Sequence, residues 1–62
     1  MPVVHVHMLS GRTADQKREL VRAITQALVE HAGAKAENVN IGFLEYDRED
    51  WGKGGLLVAD AN

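Results

Sequence analysis

The 62-residue chain contains no cysteine, a single proline, and one each of phenylalanine, tyrosine and tryptophan. Without cysteine, neither a disulfide framework nor a thiolate metal site can hold it together. Seven basic residues against nine acidic ones leave a net charge of −2. That balance provides no basic field for a nucleic-acid backbone, so nucleic acid is excluded as a partner. No apolar run approaches the roughly 18–20 residues needed to span a bilayer. Nor does the N-terminus pair a positive region with an apolar run of signal-peptide length. The expected compartment is the cytoplasm, with no membrane partner.

So short a chain is expected to form one domain, residues 1–62, near the lower limit for independent folding. A domain of this size buries only about 60% of its unfolded surface. Chains this small are usually supported by disulfides, a metal or oligomerisation. Disulfides are excluded, and the only imidazoles are those of His5, His7 and His31. Yet 45% of the residues are hydrophobic, which is ample for a folded protein. Oligomerisation is the support that remains.

The stretch Val3 to Leu9, VVHVHML, is rich in β-branched residues and alternates between two faces. Val4, Val6 and Met8 lie on one face with Pro2, and Val3, His5, His7 and Leu9 on the other. Neither face is fully polar, so both are expected to meet protein. Gly11 then permits a tight turn. Thr13 to Gln16, TADQ, has the capping-box pattern that opens a helix. The helix is predicted over Ala14 to Ala32, with Leu20, Val21, Ile24, Ala27, Leu28 and Ala32 as its apolar stripe. Lys17, Arg18, Arg22, Gln26 and Glu30 fall on its wet side, and Gly33 is placed to end it in the left-handed region. Asn38 to Tyr46 reads as a second strand, parallel to the first because a helix separates them. On it Val39, Ile41 and Phe43 share one face, and Asn40, Gly42 and Leu44 the other. A charged, glycine-rich loop from Asp47 to Gly55 surrounds Trp51 and leads into LLVA, a short strand or hairpin arm. Left exposed, that arm would be an edge prone to aggregation, so it is expected to pair with another subunit.

The order of these features is more telling than any one of them. A Met-Pro start on a short strand, SGRT leading into a capped helix, a second parallel strand, and WGKGG before a C-terminal hairpin follow one another within 62 residues. Across nearly its whole length the chain resembles the 4-oxalocrotonate tautomerase family. The resemblance implies an α+β fold: a β-α-β subunit with parallel strands and a C-terminal hairpin. Two subunits would pair into a four-stranded sheet backed by two helices, and three such dimers would form a homohexamer. It also implies cofactor-free, metal-free proton transfer between the enol and keto forms of a small 2-oxo acid.

In that chemistry the base is an N-terminal proline, here Pro2 once Met1 has been removed. An α-amino group titrates near about 7.7–8.0, and an N-terminal proline tends to be more basic. Apolar burial and a nearby cation such as Arg12 both disfavour the ammonium form, so a depressed Pro2 pKa is expected. A base is most effective with its pKa near the working pH. Arg12 matches the family's arginine after the first strand, which binds a substrate carboxylate with its planar fork. Without the resemblance, Arg12 would read as a helix-entry arginine in a surface ion pair. Trp51 falls at the family's active-site aromatic, an apolar wall that is compatible with a second role as an anchor between subunits. Asn40 is a departure, because the family's second arginine belongs there. An asparagine can donate a hydrogen bond to a carbonyl oxygen but carries no charge. This favours a substrate with one carboxylate over a dicarboxylate such as 2-hydroxymuconate, unless Arg48 or Lys53 replaces the missing charge.

Other readings are weaker. His5 and His7, at i and i+2 on a strand, point the same way, but two imidazoles with no third ligand make a poor metal site. They are expected to pack at the helix or subunit boundary. Ser10 has no partnered base. Glu49 and Asp50, beside Trp51, could activate a water, as acidic residues do in hydratase-like relatives, but a solvated loop is the simpler account. Two rival functions keep the fold. One is a dehalogenase, hydratase or decarboxylase of small unsaturated acids, which would use a protonated proline. The other is a catalytically silent assembly subunit, in which a retained Met1 locks the Pro2 nitrogen into an amide.

Overall fold

Thr13 begins the helix that shapes the subunit. The computed structural model, which describes residues 1–61, closes both halves of the capping box. Thr13 Oγ1 accepts from the Gln16 N–H at 3.1 Å, and Gln16 Oε1 accepts from the Thr13 N–H at 2.9 Å. These bonds satisfy donors that a helix start leaves without partners. The helix, α1, runs from Ala14 to Ala32. Gly33 ends it at φ 66°, a conformation open to glycine but costly for other residues. Beyond it, the Ala34 N–H donates back to the Leu28 carbonyl at 3.2 Å.

On either side of the helix in sequence lie β1, Val3–Leu9, and β2, Asn40–Tyr46. They pair in parallel, in a register that runs from Val3 opposite Asn40 to Leu9 opposite Tyr46. The β-α-β unit expected from the alternation is therefore present. β2 starts two residues later than the sequence suggested. A 3-10 turn at Ala36–Asn38 takes up the preceding backbone groups, with the Asn38 N–H donating to Lys35 and the Val39 N–H to Ala36.

Val4, Val6, Ile41 and Phe43 are half-buried, whereas Val3, His5, His7, Asn40 and Leu44 are exposed. The strand alternation thus separates the sheet face toward α1 from an open face. The covered side of the helix is rotated from its expected position. Lys17, Ile24, Thr25, Leu28 and Val29 are half-buried, while Leu20, Val21, Ala27 and Ala32 remain exposed. Lys17 is not on the wet side. Its stem lies toward the sheet and its ammonium pairs with Glu45 of β2, which is how a long cationic side chain can cover apolar surface. A two-stranded ribbon, roughly 10 Å wide, is too narrow to cover the whole apolar arc of a helix.

After β2, a 3-10 turn at Arg48–Asp50 leads into a hairpin of two short strands, β3 (Gly52–Lys53) and β4 (Leu56–Leu57). They are antiparallel, and Gly54 (φ 62°) and Gly55 (φ 86°) form the two-residue turn between them. Positive φ at both central positions is what the tight hairpin turn requires. LLVA is therefore strand only in its first half. Its second half enters a 3-10 turn at Val58–Asp60, closed by the Ala61 N–H on the Val58 carbonyl.

Among the described residues none is fully buried. The subunit exposes 4844 Å², whereas a compact monomer of its mass would expose about 3,950 Å². Its radius of gyration is 14.7 Å, against about 10.5 Å for a compact chain of this length. Leu56 and Leu57, on the hairpin arm, are 58% and 42% exposed. Sheet face, helix flanks and hairpin arm all present apolar surface that the chain alone leaves in water.

Candidate active site

β1 places two groups of candidate residues at its opposite ends. At the start, the Asn40 N–H donates to the Pro2 carbonyl at 3.0 Å. This bond continues the ladder by one residue and fixes Pro2 beside Asn40. Because proline has no N–H, the head of a strand suits it. Asn40 is exposed, and its amide donates weakly to the Asn38 carbonyl at 3.3 Å. While Met1 is attached, the Pro2 nitrogen belongs to a peptide bond and is not basic. Its removal would leave a secondary amine at the edge of the sheet.

Arg12 and Trp51 lie at the other end. The Arg12 guanidinium donates to the Leu9 carbonyl at 3.3 Å, a long bond that leaves most of its fork free. Trp51 borders a small cleft of about 220 Å³ with His7, Met8 and Leu9. Its carbonyl accepts from the Val58 N–H at 2.8 Å, which ties it to the base of the hairpin. The seven residues of β1 span roughly 20 Å. Pro2 with Asn40, and Arg12 with Trp51, are thus two separate groups of candidate residues in one chain. A single small substrate cannot touch both groups of the same subunit.

The open face of the sheet carries a cluster that the sequence did not reveal. Tyr46 Oη and His7 Nδ1 are 2.9 Å apart, and their rings are nearly parallel at 5.9 Å. Tyr46 also meets the Trp51 ring at 5.0 Å in an edge-to-face arrangement. His7 therefore packs on the face away from the helix, not against it. The available signal was the parallel register, which puts Tyr46 opposite Leu9 and His7 opposite Leu44. His5 lies across Gly42, where an added Cβ would come within 3.3 Å of its ring.

Among the remaining candidates, two make structural contacts. Ser10 Oγ donates to Asp47 Oδ1 at 2.9 Å, joining the end of β1 to the loop after β2 without a histidine. Arg48 donates to the Val58 carbonyl at 3.2 Å and so joins the turn before the hairpin to the turn after it. Lys53 is exposed on the hairpin. No group of three or more histidine, cysteine or acidic side chains suited to a metal occurs among the described residues.

Comparison with known proteins gives this geometry a context. The family model described as "Tautomerase enzyme" matches residues 2–61. A 2-hydroxymuconate tautomerase from Pseudomonas putida is 39% identical over 60 residues, covering 97% of this chain and 95% of the relative. The crystal structure of YwhB, a homologue of 4-oxalocrotonate tautomerase, superposes with a TM-score of 0.93 at 36% identity, covering 98% of this chain and 100% of the other. A heterohexamer 4-oxalocrotonate tautomerase from Chloroflexus aurantiacus superposes with a TM-score of 0.91 at 29% identity, covering both chains completely.

Proposed function

The chain belongs to the tautomerase enzyme family, and from that footing we propose that it is a cofactor-free isomerase of a small 2-oxo acid with Pro2 as its general base. The observation that carries the reading is the position of Pro2 behind Met1 at the head of β1, in a chain that matches the family along its length. Removal of Met1 exposes the amine. The free amine takes the proton from the enol hydroxyl and returns it to carbon, so that one base serves both steps and no proton is lost. Between the steps the substrate is an enolate. A cation and hydrogen-bond donors near its oxygen lower the barrier to forming it.

Arg12 supplies that cation and grips the carboxylate, and Trp51 is the apolar wall. Because the two lie about one strand length from Pro2 in the same chain, the site is built between subunits. A homohexamer accounts for both this requirement and the exposed apolar surface. The similarity to a chain whose own description is heterohexameric supports an assembly of this kind. Asn40 offers a neutral amide beside Pro2. It can hold a carbonyl oxygen but gives little help to a second carboxylate, so the substrate class we favour carries one carboxylate.

The test is a pH–rate profile with phenylenolpyruvate and 2-hydroxymuconate, with Pro2→Ala as control. Loss of a general base costs about 10²–10⁴-fold, and the wild-type limb should lie below the value of an ordinary proline amine. A protein whose N-terminal amine is blocked by a retained Met1, if as active as the trimmed form, would end the proposal. A limb above neutral pH, with turnover of halogenated or decarboxylating acids in place of enols, would favour the hydratase-type reading.

A further inference from the structure

Trp51 follows a turn of three polar residues, precedes a glycine, and is 42% exposed. An aromatic wall in so open a position needs something to aim it. Its backbone is held through the Val58 N–H, but that bond does not fix the ring. The ring meets one other aromatic group. Tyr46 presents to it at 5.0 Å with an interplanar angle of 61°, the edge-to-face geometry that aromatic quadrupoles prefer.

Tyr46 is itself held. It is half-buried at the last position of β2, opposite Leu9, and its hydroxyl lies 2.9 Å from His7 Nδ1. A phenol can both donate and accept. With the His7 proton on Nε2, the Tyr46 hydroxyl donates to Nδ1. Both residues sit on paired strands, so the cluster is anchored to the most regular part of the subunit.

We propose that Tyr46 is a positioning residue for Trp51: its ring edge orients the indole, and the hydrogen bond to His7 orients Tyr46. This deepens the tautomerase reading, because it rests on Trp51 being the wall against which the substrate packs. The partner of that wall is the apolar part of an enolic acid, such as an aryl group, and not its carboxylate.

The experiment compares Tyr46→Leu, Tyr46→Phe and His7→Ala with wild type. Trp51 is the only tryptophan, so acrylamide quenching of the intrinsic emission reports this one ring without substrate. Steady-state kinetics with phenylenolpyruvate provide the second readout, and sedimentation velocity verifies assembly. Tyr46→Leu should raise the quenching constant and raise KM by roughly two- to twelve-fold, the range of an aromatic pair, with kcat within a factor of two. Tyr46→Phe should recover most of both losses, and His7→Ala should match Tyr46→Phe. If Tyr46→Leu does not assemble, Tyr46→Phe and His7→Ala should still show a small rise in quenching. The proposal is overturned if quenching in all assembled variants equals wild type, or if kcat falls as far as KM rises. Absence of turnover in wild type would defeat the tautomerase reading alone, since the quenching series stands without substrate.

Discussion

Leu56 offers a direct test of whether the surface left open by one chain is covered by another. It is 58% exposed on a two-residue strand, at the edge of a hairpin that buries little of its own. Fully burying a leucine is worth about 1.5–3 kcal/mol. If a second copy covers the remaining 58%, each arm gains about 1–1.7 kcal/mol on association. A two-fold interface contains the contact twice. Leu56→Ala should then weaken the dimer by at most about 2–3.5 kcal/mol, roughly 30- to 400-fold. Sedimentation velocity over a wide concentration range measures this, and thermal scans at several concentrations supply a check, because a coupled assembly melts higher when concentrated. A substitution at a solvated position would change stability by less than about 0.5 kcal/mol. A Leu56→Ala protein that associates within threefold of wild type would show that the arm stays in water, and would remove the packing argument for the assembly.

Other expectations concern the fold and the site separately. Thr13→Ala opens the capping box and should cost about 1 kcal/mol, lowering Tm by roughly 4–8 °C in calorimetry at matched protein concentration while leaving kcat/KM intact. The exposed pairs Arg18–Asp15 and Arg22–Glu19 should contribute almost nothing. Removing Lys17 as Lys17→Met should change denaturant midpoints more than Arg18→Met does, since Lys17 joins α1 to β2 from a half-buried position. Arg12→Lys keeps the charge but loses the planar fork, and should reduce kcat/KM by about tenfold or more in a steady-state assay. Asn40→Arg should improve turnover of 2-hydroxymuconate relative to phenylenolpyruvate, and an unchanged ratio would show that the position does not contact the second carboxylate.

Much of the fold is legible in the sequence because local chemistry determines it. The helix bounds follow from Thr13 and Gln16 at one end and Gly33 at the other, because caps are written in adjacent residues. The strand faces follow from alternation in the same way. What local sequence could not fix was the rotation of α1. Lys17 lies inward because Glu45, 28 positions on, waits for it on β2. The late start of β2 and the half-strand LLVA reflect backbone bonds taken by 3-10 turns, which leave little pattern in composition. For the proposed site, motif order singled out Pro2 and Arg12 as candidates. Their separation by a strand length was implicit in the seven residues of β1. The Tyr46–His7–Trp51 cluster was not legible, because it depends on the parallel register and on where the loop after β2 returns.

Pro2 chemistry depends on one covalent fact. The most direct test of a proline base is the intact mass of the protein purified from its natural host. The expected result is a chain lighter than the 62-residue sequence by one methionine, with Pro2 as a free secondary amine. A mass equal to the full sequence, with Met1 quantitatively retained, would contradict the proline mechanism and leave the chain as an assembly subunit without a base.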